Sequence, residues 1–321
     1  MRKVKWGILG PGNIAADFVS DFQFVPNGEV VAVASRSEDR AQAFASRFDI
    51  PKVYDDYARL VGDAEVEAIY VATPHSFHFE QTRLALEAGK AVLCEKPITT
   101  KLADFEVLRD LATEKKLLLM EGMWTYFLPA IRKAREWVNS GKLGKVLHVK
   151  SDFGFKAEFD PDGRLFNPKL AGGALFDIGI YPLALTQYFL GSEVVDLEVR
   201  VRKAPTGVDS DVSIWMKYPG ALATLHSTLE ARLPNKTFVI GEQGYLEIPN
   251  GWMARECLLY NSEGELIDHF NDGRQGFGFN FECESFNTCF LEGKKQSEVM
   301  PHRDSLILQE WMEKVFQMMR D

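Results

Sequence analysis

The chain has little of what would commit it to a special environment. Its 321 residues hold only four cysteines, Cys94, Cys257, Cys283 and Cys289, none of them in a CxxC pair. That is too sparse for a disulfide framework or a structural zinc site, and it points to a reducing compartment. No uninterrupted apolar run approaches the roughly 18 residues a bilayer span needs. Positive charge is in deficit, with 37 Lys and Arg against 46 Asp and Glu for a net charge of −9. An acidic surface repels nucleic-acid phosphate and anionic lipid, so neither is expected as a partner. Nor does the start read as a secretory leader: Lys5 sits inside the first apolar run, Gly10-Pro11-Gly12 breaks it, and Asp17 follows. Repeats and low-complexity tracts are absent as well. A cytoplasmic globular enzyme or binding protein is the class left standing. At about twice the ~150 residues of a common domain, two domains or one large α/β domain are expected.

Periodicity divides the chain. Up to about residue 120 short, nearly continuous apolar runs (Val4–Leu9, Val30–Ser35, Val66–Thr73, Ala91–Cys94, Leu117–Met120) alternate with helical spacing over Asp39–Phe48, Phe79–Ala88 and Leu102–Lys115. Runs without polar alternation predict strands buried on both faces, as in a parallel sheet built of βαβ units. Beyond about residue 145 the period becomes two: Val212, Ile214 and Met216 alternate with Ser213 and Lys217, and Leu225 and Leu229 with Thr224, His226 and Thr228. That is the habit of antiparallel strands, with a hairpin turn at Tyr218-Pro219-Gly220-Ala221. One strongly apolar helix is predicted over about 174–190 and an amphipathic one over 303–319. The expected division is 1–121 and 122–321, with the closing helix able to return to the first domain.

Five segments carry chemistry. Gly10-Pro11-Gly12-Asn13-Ile14-Ala15 follows the first strand and opens a helix, the context of a dinucleotide-binding turn. There the first glycine permits the turn, the second admits a pyrophosphate, and the helix N-terminus offers amides to the anion. At the end of the second strand an NAD site usually places an acidic residue; this chain has Ser35-Arg36-Ser37 and then Arg40. A guanidinium can pair with a 2′-phosphate, so NADP is favoured and NAD remains possible. Thr73-Pro74-His75-Ser76-Phe77-His78 ends the third main strand and is read as contacting the nicotinamide half. Its two histidines lack the carboxylates or thiols that would complete a metal site, so no metal is expected.

The fourth segment is Glu95-Lys96-Pro97, at the same strand edge. An enclosed ammonium there can bind a substrate oxygen and favour a neighbouring phenolate, although the tripeptide alone also describes an exposed strand end. The fifth is Gly172-Gly173-Ala174-Leu175-Phe176-Asp177-Ile178-Gly179-Ile180-Tyr181, which puts Asp177 and Tyr181 on one side of a helix. The glycines imply that something approaches the backbone closely. Tyr181 can take the hydroxyl proton of a carbinol if a cation such as Lys96 assists it. The plain alternative is a buried tyrosine bonded to an aspartate.

Together these segments resemble the family of glucose–fructose oxidoreductase, inositol dehydrogenase and MocA-type proteins, in particular its dimeric dihydrodiol dehydrogenase and NADP-dependent xylose dehydrogenase branch. The resemblance implies a Rossmann domain, a doubly wound parallel sheet, joined to an α/β domain with an open, mainly antiparallel sheet whose outer face often forms a homodimer contact. It implies Lys96, Asp177 and Tyr181 as catalytic. Many relatives carry histidine where Tyr181 stands, and asparagine is common where His75 stands. The aromatic substrate wall of that branch falls on Trp124, Phe153, Phe155 and Trp252, with Phe277 and Phe279 as further candidates. The activity implied is hydride exchange between NADP and a carbinol carbon of a sugar, cyclic polyol or trans-dihydrodiol. Two rival readings are an NAD-recycling glycosidase of the same fold and a non-catalytic NADP-sensing protein.

Overall fold

The computed structural model describes residues 2–319. Two compact units are present, one running to Trp124 and resuming over Gln275–Leu306, the other made of Thr125–Arg274 and the residues from Ile307 on. In the first, strands β1 (Val4–Leu9), β2 (Gly28–Ala34), β3 (Lys52–Tyr54), β4 (Ala68–Val71), β5 (Ala91–Glu95) and β6 (Leu119–Gly122) form one sheet of order β3-β2-β1-β4-β5-β6. Every neighbouring pair is parallel. The connecting helices are α1 (Asn13–Ser20), α2 (Glu38–Phe48), α3 (Tyr57–Val61), α4 (His78–Glu87) and α5 (Leu102–Glu114). The five apolar runs are all strands, as their lack of alternation predicts. The short edge strand β3 carries no such run.

Successive strands are added in one direction from β1 to β3 and in the other from β4 to β6, and at such a switch point ligands lie beyond the carboxyl ends of the strands. Gly10, Ser35 with Arg36, Thr73 and Lys96 all follow strands at that edge. One face of the sheet packs Leu60, Leu86, Phe105 and Leu108 against Val71, Val92 and Leu119. The opposite face is aromatic: Phe18 stacks on Tyr70 at 3.8 Å, and Trp6 lies 4.7 Å from Phe286.

The second unit begins with α6 (Pro129–Asn139), whose first helical residue is a proline, where its missing N–H costs nothing. Strands β7 (Val146–Gly154), β8 (Asp196–Lys203), β9 (Asp209–Tyr218), β10 (Ala221–Thr228), β11 (Lys236–Gly241), β12 (Gly244–Pro249), β13 (Glu256–Asn261) and β14 (Leu266–Asn271) form an eight-stranded sheet. Its order is β14-β13-β12-β11-β7-β10-β9-β8. Among the described residues of this sheet, only β7 and β10 run parallel. Helix α7 (Ile180–Leu190), apolar on every side, is buried along β7 and β10, as such a helix must be. The sheet's other face leaves Trp215, Leu222 and Ile240 exposed. Across it, Leu222, His148, Ile240, Tyr245 and Tyr260 stand in register on successive strands.

The first unit is completed from the far end of the chain. Helix α8 (Phe279–Leu291) covers the aromatic face, with Asn287 Oδ1 accepting the Trp6 indole N–H at 3.0 Å. Its start is held by Asp21, whose carboxylate accepts the amides of Phe277, Gly278 and Phe279 at 3.0, 2.7 and 2.8 Å. Helix α9 (His302–Met318) starts on β6, where His302 Nε2 lies 2.9 Å from the Leu119 carbonyl, and further along sets Phe316 5.7 Å from Phe176.

Candidate active site

Gly10 has φ of +92°, and a Cβ there would lie 2.7 Å from Thr73 Cγ2, so only glycine lets the first turn close on the third loop. Gly12 differs: nothing lies within 4 Å of where its Cβ would be. No side chain caps α1 and its first turn holds no acid, so the first-turn amides around Asn13 and Ile14 face an open approach. A bare helix N-terminus beside a glycine cradle fits a pyrophosphate.

Beyond β2, the Ser35 hydroxyl accepts the Ser37 amide at 3.2 Å, and Ser37 caps α2. Arg36 lies 5.1 Å over the Phe77 ring and hydrogen-bonds the Tyr57 hydroxyl; Arg40 adds a second positive charge there. Burial pushes Tyr57 upward while the two guanidinium groups oppose the shift. Tyr57 and Phe77 are members of this patch that the sequence reading passed over, because neither neighbours Arg36 in the chain.

His78 is fully buried, with Nδ1 2.7 Å from the Pro97 carbonyl and Nε2 2.8 Å from that of Thr73. It therefore staples the loop after β4 to the segment after β5. Burial and the nearby Lys96 charge push this imidazole below its usual value. Pro74 begins the turn and the His75 ring stands 5.6 Å from that of His78. Lys96 is 8 % exposed, and Glu95 beside it accepts the Tyr70 hydroxyl. Two further buried carboxylates gather here. Glu121 accepts the Ile98 amide at 3.0 Å, and burial pushes it up to about 7. Glu282, on α8, is completely buried with neither carboxylate oxygen hydrogen-bonded, and desolvation followed by the Glu95 charge raises it well above the carboxylate range. Among the described residues no group of three or more His, Cys, Asp or Glu could hold a metal ion.

In the second unit, 174–190 is one continuous helical stretch, but Leu175–Gly179 is a π-helical turn running into α7. Its wider turn still leaves Asp177 and Tyr181 on one side. Tyr181 is 6 % exposed; Phe153 stands 5.8 Å from its ring and stacks on Trp252 at 3.8 Å, with Phe155 6.3 Å from Phe153. Arg164 Nη1 donates to Asp177 Oδ1 at 2.6 Å. The close approach signalled by the glycines comes from the protein itself: a Cβ on Gly173 would lie 2.2 Å from Asp209 Oδ1, and one on Gly172 2.7 Å from the Leu165 carbonyl. Gly179 is under no such constraint, its nearest neighbours lying at 3.4 Å.

The loop carrying Trp252 is held from behind. Arg274 donates to the carbonyls of Met253 and Ala254 at 2.6 and 2.7 Å and pairs with the Asp272 carboxylate, both side chains almost wholly buried. Thr125 Oγ1 donates to the Trp252 carbonyl at 2.7 Å. Of the remaining aromatic candidates, Trp124 stacks on Phe279 at 4.3 Å within the first unit, where Phe279 is buried and Phe277 exposed. The structure thus gathers Lys96 with the three cofactor loops in one unit and Asp177, Tyr181, Phe153, Phe155 and Trp252 in the other.

Comparison with known proteins agrees with both halves. Residues 4–123 match an oxidoreductase family with an NAD-binding Rossmann fold, and residues 131–247 match a GFO/IDH/MocA C-terminal domain. The chain is 35 % identical over 322 residues to trans-1,2-dihydrobenzene-1,2-diol dehydrogenase of Mus musculus, covering 97 % of this chain and 95 % of that one. It is 33 % identical to an NADP(+)-dependent D-xylose 1-dehydrogenase of Hypocrea jecorina, covering 97 % and 90 %. Among solved structures it resembles aldose-aldose oxidoreductase from Caulobacter crescentus (TM-score 0.91, 26 % identity, covering 99 % and 98 %). It also resembles a 3-ketoreductase from Actinomadura kijaniata solved with NADP and TDP-benzene (TM-score 0.87, 26 % identity, 98 % of each chain). A parallel sheet with its dinucleotide turn, a second open sheet, and full-length likeness to dehydrogenases of cyclic diols and sugars lead to one assignment: this chain is an oxidoreductase of the Gfo/Idh/MocA family.

Proposed function

We propose that the protein is an NADP-dependent oxidoreductase acting on a carbinol carbon of a sugar, cyclic polyol or trans-dihydrodiol. The observation that carries this reading is Tyr181 set beside the Phe153–Trp252 stack, with Asp177 four residues before it on the same helical stretch. Such faces suit an apolar ring or the C–H face of a sugar. The glycine turn and first-turn amides of α1 would hold the pyrophosphate, and Arg36, Arg40 and Tyr57 the 2′-phosphate. Thr73, Pro74 and His75 would line the nicotinamide end, with His78 and Glu95 behind them. NADP+, when bound, supplies the acceptor for the hydride that leaves the carbinol carbon.

The protein's own residues manage the proton. Tyr181 takes it from the hydroxyl as the carbonyl forms, Lys96 binds the same oxygen and favours the phenolate by its charge, and Asp177 orients the substrate. His148, Ile240, Tyr245, Tyr260, Trp215 and Leu222 on the open sheet face support a homodimer through that face. Four buried free cysteines fit a reducing compartment. The test is NADP+ reduction measured against aldoses, inositols and trans-dihydrodiols. Turnover of at least one class is expected. Binding of NADPH without turnover of any would favour a sensor, and glycoside cleavage with no net NADPH would favour the NAD-recycling alternative.

A further inference from the structure

We propose that Asp209 is a positioning residue for the acid/base tyrosine: by holding the amides at the start of the π-helical turn, it fixes the backbone from which Asp177 and Tyr181 project. The inference rests on the reading of Tyr181 as acid/base and extends it to a residue distant in sequence. Asp209 opens β9 and is 4 % exposed. Its Oδ2 accepts the Leu175 amide at 2.6 Å, and the Ala174 amide also bonds to this carboxylate.

Its place is built rather than incidental. Gly173 has φ of +128° and a Cβ there would meet Oδ1 at 2.2 Å, so the glycine pair of the motif is what admits this carboxylate. A buried carboxylate has to find donors, and here they are the orphan amides of a helix start, where the helix dipole also favours negative charge. The turn it clamps has reason to need a clamp. A π-helical turn is rare and intrinsically weaker than an α-turn, so an external hold on its first amides has leverage over everything that projects from it. Asp177 lies two residues past Leu175 and Tyr181 six. Burial pushes Asp209 up to about 7, against the pull of those amides and of the Lys203 charge. An isosteric replacement therefore tests the hydrogen bonds and the charge together.

The experiment compares Asp209→Asn with Tyr181→Phe, using hydrogen exchange, NADPH affinity and steady-state kinetics on the best substrate of the panel above. The carboxamide removes the charge and leaves one acceptor oxygen where there were two, so the hold on the Ala174 and Leu175 amides weakens. Exchange at 174–181 is expected to accelerate about tenfold or more with the first unit unchanged. NADPH affinity should stay within about twofold while kcat falls between about 10- and 100-fold, because small misplacement of an acid/base group is costly. Unchanged exchange, or wild-type kcat in Asp209→Asn while Tyr181→Phe is impaired, overturns the proposal. Wild-type kcat in Tyr181→Phe itself overturns the acid/base reading instead, so the two failures are distinguishable. Should Asp209→Asn not fold, the wild-type protein still decides: the Ala174 and Leu175 amides must be among its strongly protected ones, and fast exchange there rejects the clamp.

Discussion

The two units treat buried carboxylates in opposite ways. In the second, Asp177 faces Arg164, Asp272 faces Arg274, and Asp209 takes helix amides. In the first, Glu121 and Glu282 are both buried near the Glu95 charge, and neither Glu282 oxygen has a hydrogen-bond partner. Asp21, also buried in that unit, is held instead by three amides. Paired carboxylates fix geometry, which an acid/base pair and a substrate wall require. Glu121 and Glu282, desolvated near the Glu95 charge, are pushed toward their neutral forms, and ionising them costs stability as pH rises. The second unit keeps its buried carboxylates partnered, whereas the first leaves Glu121 and Glu282 pushed toward the neutral form.

The sharpest way to break that contrast is to remove Lys96, the cation next to Glu95. Lys96→Met should lower kcat by about 1000-fold, roughly 4 kcal/mol, within the range for a lost proton-transfer partner. NADPH affinity measured by fluorescence should change by less than about twofold if the lysine serves the substrate oxygen, as proposed. Equal loss of both would make it a cofactor-binding or folding residue.

Next in size is the paired carboxylate. Arg274→Met strands Asp272 in the interior, and breaking a buried pair costs about 3 kcal/mol or more. A lowered Tm together with a raised KM is expected, because the loop bearing Trp252 loses its clamp. An unchanged KM would separate that loop from substrate binding. An exposed cation should matter less: Arg36→Ala is expected to weaken NADP about tenfold and leave NAD nearly untouched, the loss of one phosphate contact. Equal weakening of both would remove the 2′-phosphate assignment.

The most gradual effect concerns pH. Glu121 and Glu282 have raised folded-state values, so their contribution is complete below the ordinary carboxylate value and is lost as pH rises, for Glu121 through about 7. Each such proton contributes a slope of about 1.4 kcal/mol per pH unit. Glu282→Gln should remove one proton's worth of that slope between about pH 5 and 7, as read by denaturant unfolding. A full slope in the variant would mean that Glu282 is ionised after all.

How much of this was legible follows from range. Apolar runs exposed the parallel strands, and the Tyr218–Ala221 turn exposed a hairpin, because both signals are local. The return of α8 to the first unit was hidden, since Asp21 and Asn287 meet partners more than 250 residues away. Asp209 and Arg274 left no mark either, since Leu175 is 34 residues from the one and Met253 is 21 from the other, beyond any helix or strand period. The Gly172-Gly173 pair was read as a place of close approach, and so it is; only the approaching group was beyond reach of spacing. The π-turn was invisible too, because its residues are as helical and apolar as those of α7.

In the proposed mechanism Lys96 and Tyr181 serve a single chemical step. Single-turnover hydride transfer in Lys96→Met, Tyr181→Phe and the combined variant tests it most directly. If both groups act on one proton transfer, the combined variant is no slower than the slower single one. Losses that multiply would show the two acting independently and would contradict the account.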